Sequence, residues 1–258
     1  EVEQGNKYNF FCASETISNR DIKKNESSVL PVGYFFTRIA TSSVIEGHPK
    51  SDNELNEMIP NKDDEVQFNS YLYYQTWKGI LSGLPVSERF SDKVIKTNVD
   101  GFTEDYSIND VLPRQNEIDG TIEFNLYKGI QETWDERQTN NGVKNKISAE
   151  DAIIGASSNA FTDHQAKTQF FDIDATIRIV IFGHTHDAKI LPMKNLENEK
   201  TIYVNSGTWI DNAQGFPTMT FAVITSGKSD SALETVNLYQ YSEEKTITQW
   251  QDAQAIIK

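Results

Sequence analysis

The sequence predicts a mixed α/β (α+β) fold, with helices concentrated in the middle of the chain and strands at its end. Apolar residues recur at helical spacing in two segments, 66–81 and 122–138. Beyond residue 175 the pattern changes to short apolar runs separated by Gly, Asn, Ser and charged turns, which is typical of strands. We therefore expect a mainly helical region over 30–170 and a mainly β region over 175–250.

The elements of the first half follow from propensity, breakers and periodicity. Proline at an early helix position costs little, because its missing N–H would have no partner there. A Gly-Leu-Pro sequence is a strong helix stop. In order, we predict a strand or loop over 1–12, a polar loop over 13–28, a helix in VGYFFTRIATSSVI after Pro31, a charged connector in SDNELNEMIPNKDDE, and a helix over 66–81 that ends at Gly83-Leu84-Pro85.

The second half combines two further helices with a series of strands. Ser148 followed by acidic residues is a helix N-terminus signature. A short apolar run is typical of a strand buried on both faces. In order, we predict an ambiguous region over 86–118 with a turn at NVDGF, a helix over 122–138, a loop over 139–146, a helix over 148–157, a strand over 176–182, and about four more strands in AKILPM, TIYVNSG, PTMTFAVIT and TVNLYQY.

Composition limits the classes of partner and compartment. The 258 residues carry 24 Lys+Arg against 38 Asp+Glu, a net charge of −14, which disfavours nucleic acid because phosphate neutralisation needs clustered cations. Cys12 is the single cysteine, so an intrachain disulfide is impossible, and we expect a reducing, cytoplasmic location. The sequence has no apolar run of roughly 20 residues, so we expect no membrane association.

The stretch IFGHTHDA, residues 181–188, contains two of the four histidines. If the backbone is extended, His184 and His186 point the same way and both rings can face one cleft. Gly183 would let the chain turn tightly there, since it has no Cβ. Neutral imidazole is a common ligand of transition metals. The alternative is two ordinary turn histidines without a ligand role.

Strand-GHTH followed by strand-NSGTW resembles the calcineurin-like metallophosphoesterase superfamily over residues 176–225. The resemblance implies the C-terminal part of a four-layer α/β/β/α sandwich with a large, mainly helical insertion. It also implies a centre of two divalent metal ions (Mn, Fe or Zn), with His184 binding one and His186 the other. Such a centre activates water to attack a phosphate ester, so both histidines become candidate catalytic residues.

The start of the chain, EVEQGNKYNFF, resembles the family's E-H-G-(N/H)-x-Y-D segment. Gln4 stands where the family has a ligating histidine, and Asn9 stands where it usually has Asp. Gln4 is therefore a possible degenerate ligand position, and the alternative is a strand and loop without chemistry. The implied arrangement is a metallophosphoesterase-like β core over 1–29 and 171–258, with an insertion or cap over 30–170.

The family's three N-terminal metal motifs, D-x-H, G-D-x-x-D and G-N-H-(D/E), do not occur in the sequence. Three explanations compete: a longer gene product, a separate polypeptide carrying the first half, or a decayed pseudoenzyme. We expect a metal-dependent phosphoesterase with a phosphate-ester substrate; the alternative is a non-catalytic protein of the same family that acts through protein binding. We also expect a homo-oligomer or an N-terminal half as partner, because an incomplete sheet leaves an open edge.

The remaining candidates have more ordinary interpretations. In YLYYQTW we expect the aromatic side chains of Tyr71, Tyr73, Tyr74 and Trp77 to form helix core, with a substrate-selecting cap as the alternative. His48 and His164 are lone histidines, which we expect at the surface or in packing rather than as ligands. Arg38 interrupts an apolar helix, and we expect it to pair with a carboxylate, with phosphate contact as the alternative.

Overall fold

The chain divides into two compact units in the computed structural model. The first unit is Glu1–Asn6 with Ser158–Lys258, and the second is Lys7–Ser157. These bounds differ from the predicted 1–29 with 171–258 and 30–170, and a family core with an insertion stays a prediction. The described residues are 1–14, 18, 30–42, 47–50, 54–99, 101–209, 217–226 and 234–255. In those ranges, no helix is both long and apolar enough to cross a membrane.

The second unit contains five helices in its described part and a short two-stranded antiparallel sheet. Its helices are α1 Gly33–Thr41, α2 Glu65–Leu81, α3 Ile108–Val111, α4 Trp134–Asn140 and α5 Ala149–Gly155, and a 3₁₀ turn covers Ser87–Arg89. The sheet pairs β1, Arg114–Gln115, with β2, Ile122–Glu123. Another 3₁₀ turn spans Asn6–Tyr8, where the two units join.

Side-chain caps explain where the predicted helices begin. The Asp64 carboxylate accepts hydrogen bonds from the backbone N–H groups of Val66 (3.0 Å) and Gln67 (3.1 Å) at the start of α2. Ser148 Oγ accepts from the Asp151 N–H at 3.0 Å and starts α5 as predicted. These bonds satisfy donors that a helix N-terminus otherwise leaves without partners. The helix after Pro31 is confirmed as α1, and residues 43–45 of that prediction lie outside the described residues.

An aromatic core holds the second unit together and confirms the helix-core interpretation of YLYYQTW. Tyr73, Tyr74 and Trp77 of α2 are buried, while Tyr71 is partly buried. The Tyr73 ring meets Phe10 edge to face with centroids 6.4 Å apart, a geometry that aromatic quadrupoles favour. Burying each such ring stabilises the fold by about 1.5–3 kcal/mol.

The predicted helix over 122–138 is wrong for most of its length. Its first residues form β2, and a helix begins only at Trp134. Between them, Tyr127 has φ 58° and Gly129 has φ 70°, left-handed conformations that no right-handed helix contains. The apolar residues Phe124, Leu126 and Ile130 are buried, but turns and not a helix direct them into the core. Helix α4 then continues into the start of the predicted loop.

The first unit contains one α-helix in its described part and two three-stranded sheets. Helix α6, Asn159–Ala166, continues into a π-helical turn, Lys167–Phe171. The strands are β3 Ile179–Phe182, β4 Lys189–Lys194, β5 Lys200–Asn205, β6 Thr220–Thr225, β7 Glu234–Tyr241 and β8 Ile247–Ala255. Their order is β3-β5-β4 in one sheet and β6-β7-β8 in the other. The mixed α/β class predicted from the sequence is confirmed.

Two details of the strand prediction are wrong. Strand β3 alternates partly buried Ile179 and Ile181 with fully buried Val180 and Phe182, so it is not fully buried on both faces. Five strands follow it in the described part of the chain, where about four were expected. The extra strand is β8, whose sequence ITQWQDAQA is mostly polar; backbone pairing with β7 stabilises it without an apolar run.

Candidate functional site

Three strand ends meet at one edge of the β3-β5-β4 sheet. Strands β3 and β5 are parallel, with Phe182 opposite Asn205. The first residues of the chain lie along the other side of β3, where Val2 forms a parallel bridge with Ile181 and the Glu3 N–H donates to the Ile181 carbonyl at 3.1 Å. Ligands of α/β proteins bind outside the carboxyl ends of parallel strands. Gln4, the GHTH segment and the NSG segment all lie at such ends.

The GHTH segment is a turn, which corrects the extended geometry expected from the sequence. The backbone N–H groups of Gly183 and His184 both donate to the Gln4 carbonyl, at 3.2 and 3.0 Å. His186 has φ 59° and donates its N–H to the Gly183 carbonyl at 3.3 Å. The left-handed residue is thus a histidine, and such a residue in a non-glycine position is a frequent mark of functional sites.

Gly183 does not have the role that the sequence indicated. Its φ is outside the left-handed region, and a Cβ placed there would meet only Ser206 Oγ, at an ordinary 3.4 Å. The glycine that has no room for a side chain is Gly207, with φ 75° and Thr220 Oγ1 only 2.0 Å from an added Cβ. Gly207 belongs to the NSG segment, so the backbone that requires glycine at this edge follows β5 and not β3.

His184 and Gln4 are close neighbours, as the two sequence resemblances together imply. Gln4 Nε2 lies 3.4 Å from His184 Nδ1. The Gln4 Oε1 accepts the Asn6 N–H at 2.8 Å, so the amide faces the imidazole with its NH₂ group. An NH₂ group has no lone pair for a cation. In this orientation Gln4 presents no lone pair toward His184, so it could not coordinate a cation beside that imidazole.

The two histidines have different environments. His184 is partly buried, and burial together with the nearby His186 lowers its pKa below the ordinary value, while Asp163 acts in the opposite direction. His186 is exposed. A lowered pKa keeps the His184 imidazole neutral near pH 7, the form that binds metal ions.

A buried polar network fixes the turn from below. Asp163, on α6, is 2% exposed. Its Oδ1 accepts hydrogen bonds from the hydroxyl of Tyr203 and, at 3.3 Å, from the hydroxyl of Thr185, the residue between the two histidines. Asn205 Nδ2 donates to Thr185 Oγ1 at 2.6 Å, and its Oδ1 accepts the Gly207 N–H at 2.9 Å. Helix α6 and strand β5 thereby hold both motif segments in place.

Lys189, the first residue of β4, supplies the charge that balances this network. Its Nζ lies 2.8 Å from Asp163 Oδ2 and 2.5 Å from Asp187 Oδ2. Burial acts to lower the pKa of Lys189, but the hydrogen bonds that its ammonium group donates to the two carboxylates outweigh this effect and raise the pKa. Burial and the hydrogen bond to Asp163 raise the pKa of Tyr203. The lysine stays charged, the tyrosine stays neutral, and the buried carboxylate has a cation already.

Two histidines by themselves are an incomplete donor set for a two-metal centre. Among the residues that the structure describes, no group of three or more His, Cys, Asp and Glu side chains converges as a metal site would require. Asp163, the buried carboxylate beneath the turn, is paired with Lys189. Catalytic centres need several ligands and a supporting shell. No catalytic step can be assigned to these residues by themselves.

The other sequence candidates lie elsewhere. His164 is exposed on α6, and His48 is exposed with its Nδ1 2.8 Å from the Pro49 carbonyl, as expected of surface histidines. The Asn9 amide holds backbone of the second unit, donating to the Ala156 carbonyl and accepting the Phe11 N–H. Arg38 donates to the Lys96 carbonyl at 2.6 Å, and no carboxylate within the described ranges pairs with it.

The sequence did not indicate Asp163 or Lys189 as part of the site. In the sequence, Asp163 stood out only because it precedes His164 in a helical stretch. Lys189 is not part of any recognisable motif. Asn205 stands in the NSG segment, so a role in fixing the edge could have been read from that motif. No family model matches this chain, and neither a curated protein nor a solved structure matches it.

Proposed function

We propose that this chain contributes the histidine side of a metal-dependent phosphoesterase of the calcineurin-like type, with His184 and His186 as ligands of divalent cations. The observation that carries the proposal is the meeting of Gln4, GHTH and NSG at the carboxyl ends of the parallel strands β3 and β5. The four-layer sandwich and the cap role of the second unit belong to the same proposal. The ligands that complete the centre have to come from residues other than those described here.

The fixed turn is what makes this edge suitable for cation binding. Thr185 is tied to Asn205 and Asp163, so the backbone that carries the two flanking histidines is held in place. Ligands held before the cation arrives lose less conformational entropy on binding. The neutral state of His184 near pH 7 leaves a ring nitrogen lone pair available.

A second candidate function is a non-catalytic relative that binds a partner protein. Two observations favour it: Gln4 presents an N–H group toward His184, and the Asp163 carboxylate is paired with Lys189. Both reduce the ligands available to a catalytic centre. In this case the edge keeps its shape, and cation binding is weak and serves no chemistry.

One set of measurements separates these functions. The full chain is titrated with Mn²⁺ by electron paramagnetic resonance and assayed for hydrolysis of an aryl phosphate with Mn²⁺ present. The variants are His184→Ala and His186→Ala, with His164→Ala as matched control, since it removes an exposed imidazole from the same unit.

The phosphoesterase proposal expects hydrolysis that falls at least tenfold in both site variants, the loss of about 1.4 kcal/mol or more of transition-state stabilisation, and an unchanged control. Mn²⁺ binding lost in the site variants, with no hydrolysis in the parent chain, selects the non-catalytic candidate. Hydrolysis that survives both substitutions refutes the site assignment. Absence of Mn²⁺ binding in the parent chain refutes cation binding at this edge.

A further inference from the structure

The second unit contains a basic pocket, although the chain as a whole is acidic. We define the basic pocket by its lining residues, Arg38, Thr41, Ser42, Arg89, Lys93, Val94 and Lys96. Its volume is about 410 Å³, within the range of small-molecule sites. Four of its seven lining residues are cations in a chain whose net charge is −14.

Two of these cations already have carboxylate partners. Arg89 Nε lies 2.7 Å from Asp92 Oδ2, and Lys93 forms an ion pair with Asp110. The Asp110 carboxylate is further held by Ser107, which donates to it from both its backbone N–H and its hydroxyl. These two pairs neutralise one side of the basic pocket and leave the charges of Arg38 and Lys96 uncompensated by carboxylates in the described part of the chain.

Arg38 is positioned for recognition and not only for solvation. Its Nη2 donates to the Lys96 carbonyl at 2.6 Å, and its guanidinium carbon lies 5.9 Å from the centroid of the Tyr34 ring. An arginine fixed in this way keeps further N–H donors in a rigid planar fork, which suits phosphoryl oxygens. Lys96 adds a mobile point charge beside it, because its side chain is exposed.

The hydroxyl groups of the basic pocket already donate to backbone carbonyls, so the cations have to bind an anion. Thr41 Oγ1 donates to the Thr37 carbonyl and Ser42 Oγ donates to the Ile39 carbonyl, each at 2.8 Å. A hydroxyl that has donated its proton offers only lone pairs. These contacts rule out recognition by hydroxyl donors in the observed geometry and point to a ligand read mainly by its negative charge.

We propose that the basic pocket is a binding site for a small phosphorylated molecule, with Arg38 and Lys96 as the residues that contact the phosphoryl group. The volume exceeds what one phosphoryl group fills, so the remainder of the ligand lies in the pocket beside Val94. A nucleic acid polymer is disfavoured, because the net charge of −14 repels a long polyanion. The site uses no residue of the GHTH edge and stands independently of the proposed phosphoesterase function.

The test is calorimetric titration of the full chain with pyrophosphate and with inorganic phosphate, in the presence of a chelator so that no divalent cation takes part. The test variants are Lys96→Gln alone and Arg38→Gln with Lys96→Gln. The matched control is Lys62→Gln with Lys128→Gln, which removes two positive charges from exposed positions of the same unit. Lys96→Gln keeps the test valid if the Arg38 substitution disturbs folding, because Lys96 is exposed.

The expected result is pyrophosphate binding that weakens about tenfold or more in each test variant, as loss of a charge-assisted hydrogen bond predicts, and less than twofold in the control. His184→Ala should leave this binding unchanged, which separates it from the site at the GHTH edge. If binding weakens equally in the test and control variants, the loss of affinity comes from the change in overall charge, and the proposal is overturned. So would the absence of pyrophosphate binding at millimolar concentration.

Discussion

Replacing Lys189 by methionine tests whether the polar network under the GHTH turn depends on its single cation. The side chain of Lys189 is 22% exposed, and the side chain of its partner Asp163 is 3% exposed. Removing one member of a buried ion pair costs about 3–5 kcal/mol, because a charge is left in a poorly solvated site. Lys189 is partly solvated, and Asp163 keeps hydrogen bonds from Tyr203 and Thr185. We therefore expect a smaller loss, about 2–3 kcal/mol in the free energy of unfolding.

Urea denaturation followed by circular dichroism measures this loss. With a slope of roughly 1–3 kcal/mol per molar urea, the midpoint should fall by about 0.7–3 M. The matched control is Lys167→Met, whose pair with Asp172 is exposed at 35% and 37% of the two side chains, so it should cost less than about 1 kcal/mol. Adding Asp163→Asn to Lys189→Met should restore part of the loss, since no buried charge then remains. Equal costs for Lys189→Met and Lys167→Met would refute the reasoning.

Two further predictions concern the second unit. Burial raises the pKa of the Cys12 thiol to about 11, so its alkylation by iodoacetamide at pH 8 should be on the order of a hundredfold slower than that of a free thiol. The rate should then rise about tenfold per pH unit through pH 10, whereas a plateau near pH 9 would contradict the raised pKa. Gly79→Ala should raise the free energy of unfolding by about 0.5–1 kcal/mol in urea titrations, because a Cβ there meets no atom within 4 Å and alanine favours helix. A destabilised variant would mean that the end of α2 needs the freedom of glycine.

Local signals in the sequence predicted those elements whose stabilisation is itself local. The apolar spacing of 66–81 predicts helix α2. Ser148 predicts the start of α5, because its side chain caps the N–H of a residue three positions later. The prediction of a helix over 122–138 is wrong because apolar periodicity indicates which residues are buried. It does not determine the backbone conformation that buries them. The left-handed residues Tyr127 and Gly129 interrupt that backbone, and a left-handed tyrosine has no reliable sequence signature.

The candidate site shows the same division. His184 was found by its motif, and Gln4 by alignment with a family segment, and the structure places their side chains 3.4 Å apart. The sequence did not reveal the pair of Asp163 and Lys189, because it joins a helix to a strand that lies further along the chain. Each is an ordinary charged residue in its own segment. Only tertiary packing, which brings α6 beneath the sheet edge, turns the two into a buried ion pair.

The pairing of the first residues with β3 has a consequence for the order in which the chain folds. The amino group of Glu1 donates to the Ile179 carbonyl, a partner 178 residues away in the sequence. At typical synthesis rates of about 5–20 residues per second, residues 1–4 wait on the order of ten seconds or longer for β3 to leave the ribosome. The second unit, continuous over Lys7–Ser157, is complete before then. Vectorial synthesis should therefore produce the aromatic unit first, and the histidine-bearing edge forms only when a long loop closes around it.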